Sequence, residues 1–232
     1  MCGGWILIVF VFFYLGFLLY TDEIKSQFVG SQEWVYLSIR VPRENLTSTL
    51  AVEQIYSQMH ALHTNLTLFH KYIEGRVQLW YSLELVSLGG NISYIIRAPK
   101  KLRDLVEAAF YAQYPLVEIT EVADYLANID PDHYEPETAD FDIFGTEFKL
   151  INDETIPIKT YKDFEHPNSE DKIVDPLMPM LEALAKMEPH ELCAIQILIR
   201  PLADPEWKPK GEKKAKELLG EKEPEKVTFL LS

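Results

Sequence analysis

The stretch Tyr81–Val122, "YSLELVSLGGNISYIIRAPKKLRDLVEAAFYAQYPLVEITEV", is two strands, a helix and a third strand in order. Leu83 and Leu85 alternate with polar neighbours, continuing a period of two that begins at Val77, Leu79 and Tyr81. Gly89-Gly90-Asn91 interrupts the run with residues that tolerate positive φ, which predicts a tight hairpin. Ile92, Tyr94 and Ile96 then carry the return strand to Pro99. Beyond it, Leu102, Leu105, Val106, Ala109 and Phe110 fall at helical spacing until Tyr114-Pro115, where the proline disfavours further helix. Val117, Ile119 and Val122 form the last strand.

The missing half lies immediately upstream. Val35, Leu37, Ile39 and Val41 alternate with polar residues up to Pro42. Ser48 or Thr49 can cap a helix with an apolar stripe of Val52, Ile55, Tyr56, Met59 and Leu62. The order over residues 32–126 is therefore β-α-β-β-α-β. This is the split-βαβ, ferredoxin-like pattern of an antiparallel sheet with two helices on one face. Leu37, Ile39, Ile55, Leu83, Ile96, Val106 and Phe110 are expected in one core.

Residues 127–140 break both periods and gather Asp, Glu and Pro, the composition of an acidic linker. A second α/β unit is expected over 141–232, also ferredoxin-like and ending within a strand. Its elements would be a hairpin of 144–151 and 155–161 around Asn152-Asp153 and a helix starting at Asp175-Pro176 with Leu177, Met180, Leu181, Leu184 and Met187 buried. A strand through Cys193, Ile195, Ile197 and Ile199, a Lys/Glu-rich surface helix over 211–220 and a strand from Val227 to Leu231 would follow. An end inside that apolar run suggests that further sequence follows Ser232. The fold class is thus α+β, with two small units behind an N-terminal helix.

That helix is expected within residues 1–27. Trp5–Tyr20 contains no charge and approaches the length needed to cross ~30 Å of hydrocarbon. Trp5 and Tyr20 suit the two interfaces. The absence of a basic start and of a small-residue cleavage site favours a retained transmembrane helix over a signal peptide. The nearby cations Lys25, Arg40 and Arg43 all follow it, so residues 22–232 are expected on the cytoplasmic side of a cell membrane.

The net charge of −14 opposes a role based on gripping phosphate backbones. Between Arg103 and Lys149 there is no Lys or Arg at all. Two cysteines, Cys2 and Cys193, make neither a disulfide framework nor a metal knuckle, and Cys193 reads as a small buried residue. No phosphate-cradling loop, dinucleotide fingerprint, metalloprotease helix or nucleophile elbow occurs. His60 and His63 share a helix without a third ligand at fixed spacing, and a surface role is preferred. Asp130, Asp132, His133, Glu135 and Glu137 lack the glycine and spacing of a calcium loop. Glu118 and Glu121 have no partner base. No catalytic residue, cofactor site or metal site is therefore assigned. Trp34, Tyr36, Trp80 and Tyr94 on strands, with Lys100, Lys101 and Arg103 nearby, leave one possible nucleic-acid contact, since related sheets stack bases on aromatics. The ribonucleoprotein signature is absent, and Tyr81 and Tyr94 are expected to face the core.

Taken together, "RVPRE", "AVEQIYSQMHALH", "WYSLELVS", "YIIRAPKKLRDLVEAAFYAQYPLVEITEVADY", "FGTEFKL", "PIKTYKDFEH" and "DPLMPMLEALAKMEPHELCAIQILIRP" form a series. It resembles the uncharacterised membrane-anchored domain that precedes type IV secretion or conjugation-type ATPases (FtsK/HerA-like) in candidate-phyla bacteria. The resemblance runs over residues 33–210. It implies a single membrane helix, a tandem α/β module at the cytoplasmic face and a downstream motor. The chain departs from that pattern in having no Walker motif, so neither ATPase activity nor any catalytic residue is carried over. The expected function is that of a non-enzymatic, membrane-anchored assembly or interaction module of a translocation ATPase system, as a fragment or a stand-alone relative. Its expected partners are the bilayer, a downstream ATPase domain or other proteins, and further copies of itself. The alternative is a nucleic-acid-binding module that delivers a strand to a motor.

Overall fold

The computed structural model describes residues 4–42, 50–127, 144–153, 155–156, 177–202 and 207–220. Helix α1 (Gly4–Gly30) comes first, followed by strand β1 (Trp34–Arg40) and helices α2 (Leu50–Met59) and α3 (Leu68–Tyr72). Strands β2 (Tyr81–Leu88) and β3 (Asn91–Pro99), helix α4 (Arg103–Gln113) and strand β4 (Glu118–Val122) complete the first stretch. Helix α5 (Met178–Leu184), strand β5 (Leu192–Ile199) and helix α6 (Trp207–Leu218) follow. The chain divides into two units, one within Met1–Asn128 and Pro176–Ala203, the other within Ile129–Asp175 and Asp204–Ser232.

The first unit is built on a five-stranded antiparallel sheet ordered β4-β1-β3-β2-β5. Its inner face carries the pairs Val35–Ala98 and Tyr81–Ile199 and the row Leu37–Ile96–Leu83–Ile197 in register. Helices α2 and α4 bring Ile55, Met59, Val106 and Ala109 onto these rows. Burying each large aliphatic side chain there contributes roughly 1.5–3 kcal/mol. Leu37, Ile39, Ile55, Ile96 and Val106 are in this core as expected, whereas Leu83 and Phe110 pack against it only partly buried.

Gly89 and Gly90 make the expected two-residue turn. Leu88 pairs with Asn91, and both glycines have positive φ, +54° and +82°. Both also sit under the α5–β5 connection, where a Cβ on Gly90 would come within 2.8 Å of the Ala185 carbonyl oxygen. Glycine is needed here for conformation and for space.

Several expectations are corrected. Leu192–Ile199 does not found a separate unit within 141–232; it pairs with β2 from Tyr81↔Ile199 to Leu88↔Leu192. Periodicity identifies a strand but not the sheet it joins, and the outer edge of β2 is where its backbone groups are satisfied. Leu184 of α5 is buried in the same unit, and its carbonyl accepts a 2.9 Å bond from Ser87 Oγ. The other residues of the expected α5 stripe are only partly buried or, like Leu177, exposed. Cys193 is half-buried rather than enclosed, because it stands near the end of an outermost strand. The α2 stripe is shifted: Ala51, Ile55 and Met59 are buried while Tyr56 is exposed. Tyr94 is exposed too, although its strand parity is that of the core and its cross-strand neighbours Ile39 and Leu85 are buried. Strand β2 starts at Tyr81, not Val77, and helix α3 was not anticipated.

In the second unit, Phe144–Leu150 form no strand. The turn at Asn152-Asp153 is present in another guise, with the Asp153 carboxylate accepting from the Thr155 amide at 2.9 Å and hydroxyl at 2.7 Å. Those bonds hold the carboxyl below its ordinary range. Helix α6 is the exposed Lys/Glu-rich helix expected, starting earlier than residue 211. Ser48 and Thr49, most of the 127–140 linker with its Asp130–Glu137 acidic group, the strand over 155–161 beyond Ile156, the Asp175-Pro176 start and the 227–231 strand lie outside the described residues.

Candidate functional site

The sheet face opposite α2 and α4 is covered in part. Alternation on β2 puts Ser82, Glu84 and Val86 there, yet all three are buried, Glu84 to 3% exposure. Over Glu84 the cover comes from a turn just after β4. Asp124 Oδ1 accepts from the Leu126 amide at 2.8 Å, an Asx turn that folds the chain back over the sheet. Asp124 Oδ2 accepts from the Tyr36 hydroxyl at 2.8 Å.

Tyr125 is thereby laid across the face. Its hydroxyl donates to Glu84 Oε2 at 2.8 Å and accepts from Gln196 Nε2 at 2.7 Å, and its ring meets Tyr36 edge-on at 6.2 Å. Ser82 Oγ donates to Glu84 Oε1. The cross-strand row Ser38–Ile95–Glu84–Gln196 sets Glu84 of β2 beside Gln196 of β5, so that both reach the one Tyr125 hydroxyl. The next row, Val122–Tyr36–Arg97–Ser82–Leu198, places Arg97 beside this network. Its guanidinium lies 4.1 Å from the Trp34 ring centroid and 5.7 Å from that of Tyr36, a cation–π arrangement, while its buried Nε has no hydrogen-bond partner. Trp80 extends the aromatic surface, 5.2 Å from Trp34. Glu84 is thus a carboxylate held by two hydroxyl donors. The remaining capacity of the face is aromatic surface and one unsatisfied guanidinium nitrogen, which suits recognition of a planar or acceptor-bearing group.

The titration of this face carries a testable consequence. Burial, and then the bond to Asp124, push the Tyr36 phenol up to about 12, against a smaller opposing pull from Arg97. Burial, and then Glu84, raise Tyr125, and on the inner face burial raises Tyr81 to about 12. A phenol that holds its proton more tightly when folded adds stability below its unfolded value near 10, and that stability is lost as pH rises from 10 through 12. Urea midpoints are therefore expected to fall between pH 10 and 12, with part of that slope removed in Tyr36→Phe. A Tyr36 resonance titrating near 10 in the folded protein would contradict this arrangement.

The residues singled out by sequence lie elsewhere. Lys100 and Lys101 are in a single turn of 3₁₀ helix after β3, and Arg103 opens α4. Lys100 Nζ is 2.7 Å from Glu33, Lys101 Nζ 3.4 Å from the Gln32 side-chain oxygen, and Arg103 bridges Glu107 at 2.7 Å and Glu121 at 2.5 Å. The three cations are thus engaged in the fold. Glu118 lies 3.9 Å from Arg40. His60 and His63 stack with centroids 6.3 Å apart, and no cluster of three or more metal-ligating side chains occurs among the described residues.

Sequence reasoning missed Glu84, Ser82, Arg97, Tyr125 and Gln196. The available signal was an acidic residue inside the strand "YSLELVS", but its burial depends on a turn 40 residues later. No protein-family model, curated protein or solved structure matches the chain.

Proposed function

We propose that the chain is a non-enzymatic, membrane-anchored assembly module. It would be built on a split-βαβ sheet, β4-β1-β3-β2 with α2 and α4, and enlarged by β5. The observation that carries this reading is the contrast between the two sheet edges. β4 is five residues long and presents Glu118 and Glu121, the short, charged edge that discourages pairing. β5 is eight residues long, "LCAIQILI", without a charge, and Ile197 and Leu198 are 57% and 64% exposed. Among the described residues no strand pairs with its outer side. An open apolar edge of this kind is suited to accepting a partner strand or apolar surface.

Helix α1 supports the anchor. It is long and apolar enough to cross a membrane over Leu7–Gly30, and little of that stretch is buried against the protein. The motif series makes a type IV secretion-like translocation ATPase the proposed partner system, with residues 22–232 on the cytoplasmic side. In native cells, cross-linking from β5 should capture a membrane-associated P-loop ATPase, and Ile197→Lys with Leu198→Lys should reduce the yield at least fivefold. An unchanged yield would remove β5 from the interface. Digestion of residues 22–232 by protease added to intact spheroplasts would overturn the orientation and the motor association together.

A further inference from the structure

Helix α3 is short, and its sequence "LFHKY" with the following Ile73 leaves its large apolar groups outside the core. Leu68 is 73% exposed, and Phe69 and Ile73 are each 58% exposed. Exposed aromatic and aliphatic side chains on one small helix are costly in water unless something covers them. The position of α3 indicates what does. The Tyr72 ring lies 5.6 Å from that of Phe17 on α1. Gly75, at φ +64°, is pressed so closely on α1 that a Cβ would stand 2.2 Å from the Ile24 carbonyl oxygen. The α3 segment is thus fastened beside the end of the uncharged run of α1, which stops at Tyr20 before Asp22 and Glu23.

Beside α3 is a cleft of about 450 Å³ whose walls include Lys25 of α1, His63, Lys71 of α3, Arg76 and Arg200. Arg76 is 2.6 Å from Glu74, whereas among the described residues no carboxylate lies within ion-pair distance of Lys25, Lys71 or Arg200. In a chain of net charge −14, such a concentration of cations calls for an anionic occupant.

We propose that α3 and this cleft form an interfacial seat: Leu68, Phe69 and Ile73 rest in the membrane surface, and the cleft takes the phosphate of an anionic lipid. The inference rests on α1 spanning the bilayer. Phe17 is three residues from Tyr20, roughly 4.5 Å along the helix axis. A side chain packed at that level lies at the shallow edge of the ~5–10 Å depth at which interfacial helices bury their apolar faces. Basic pockets beside membrane helices recognise lipid headgroups through the same combination of charge and location. The seat would hold the sheet at a fixed height and orientation at the bilayer, which a single helix alone does not do.

The test uses the full chain in lipid vesicles, with Cys2→Ser and Cys193→Ser and an environment-sensitive fluorophore on either Phe69→Cys or Phe12→Cys. With a quencher carried at shallow depth on the lipid, the residue-69 probe should be quenched in vesicles containing phosphatidylglycerol. The residue-12 probe should report insertion in neutral and anionic vesicles alike. Lys71→Gln with Arg76→Gln should raise the anionic fraction needed for half the residue-69 response at least fivefold, since each cation near an anionic surface contributes roughly that factor. Inserted residue 12 with unquenched residue 69 would overturn the seat and leave the anchor standing. Failure of residue 12 to insert would overturn the anchor and this inference with it. A residue-69 response produced in neutral vesicles by inorganic phosphate alone would reassign the cleft to a free phosphate and overturn the lipid assignment.

Discussion

Leu37→Ala is expected to lower the unfolding free energy by about 2–5 kcal/mol, a large share of the roughly 5–15 kcal/mol typical of a domain. Leu37 is fully buried, flanked across the sheet by Ile96 and Glu121, and lies in the cluster formed with Ile55, Met59 and Val106. Removing its isobutyl group leaves a cavity between rigid elements that can collapse only partly. Phe110→Ala provides the comparison. From the helical stripe alone it would be expected to cost ~3–5 kcal/mol, but the ring is only partly buried, so the loss should be smaller than at Leu37. Urea denaturation followed by far-ultraviolet circular dichroism measures both. If Phe110→Ala proved the more damaging, the placement of α4 over the sheet would be wrong.

Tyr125→Phe should cost about 1–3 kcal/mol, or more because the group it deserts is a carboxylate. The change removes the hydroxyl that donates to Glu84 and accepts from Gln196, with almost no change of volume. Glu84 then keeps only Ser82 while still lying under the ring. Pairing Tyr125→Phe with Glu84→Gln should lose less than the sum of the single changes, because an amide tolerates a missing donor better than a charge does. A coupling of about 0.5–3 kcal/mol is expected for residues in one such network. Strict additivity would show that the carboxylate is hydrated in solution and that Tyr125 does not close the face.

The same two positions show how a structural expectation and a functional one came apart. Leu37 was predicted for the core from alternation, and the prediction needed nothing beyond β1. Glu84 alternates too, and by pattern alone it would face solvent. An exposed face is the default reading for the second side of an antiparallel strand. What reverses it is the Asx turn at Asp124, which covers the face with Tyr125, and the fifth strand, which brings Gln196 into line.

By itself, the sequence determined the local elements: the apolar helix, the strands at period two, the hairpin at Gly89-Gly90 and the end of α4 before Pro115. Each depends on residues within a few positions of one another, through backbone sterics or hydrophobic periodicity. Tertiary structure alone decided that β5 belongs to the first sheet and that Glu84 and Ser82 are enclosed. It also decided that Lys100, Lys101 and Arg103 are spent on nearby acceptors, and that α3 lies against α1 beside a basic cleft. These arrangements join residues as many as 118 positions apart, as in Tyr81↔Ile199. Their pairing is set by which exposed edges and faces meet when the chain closes, a selection that no local pattern of side chains encodes.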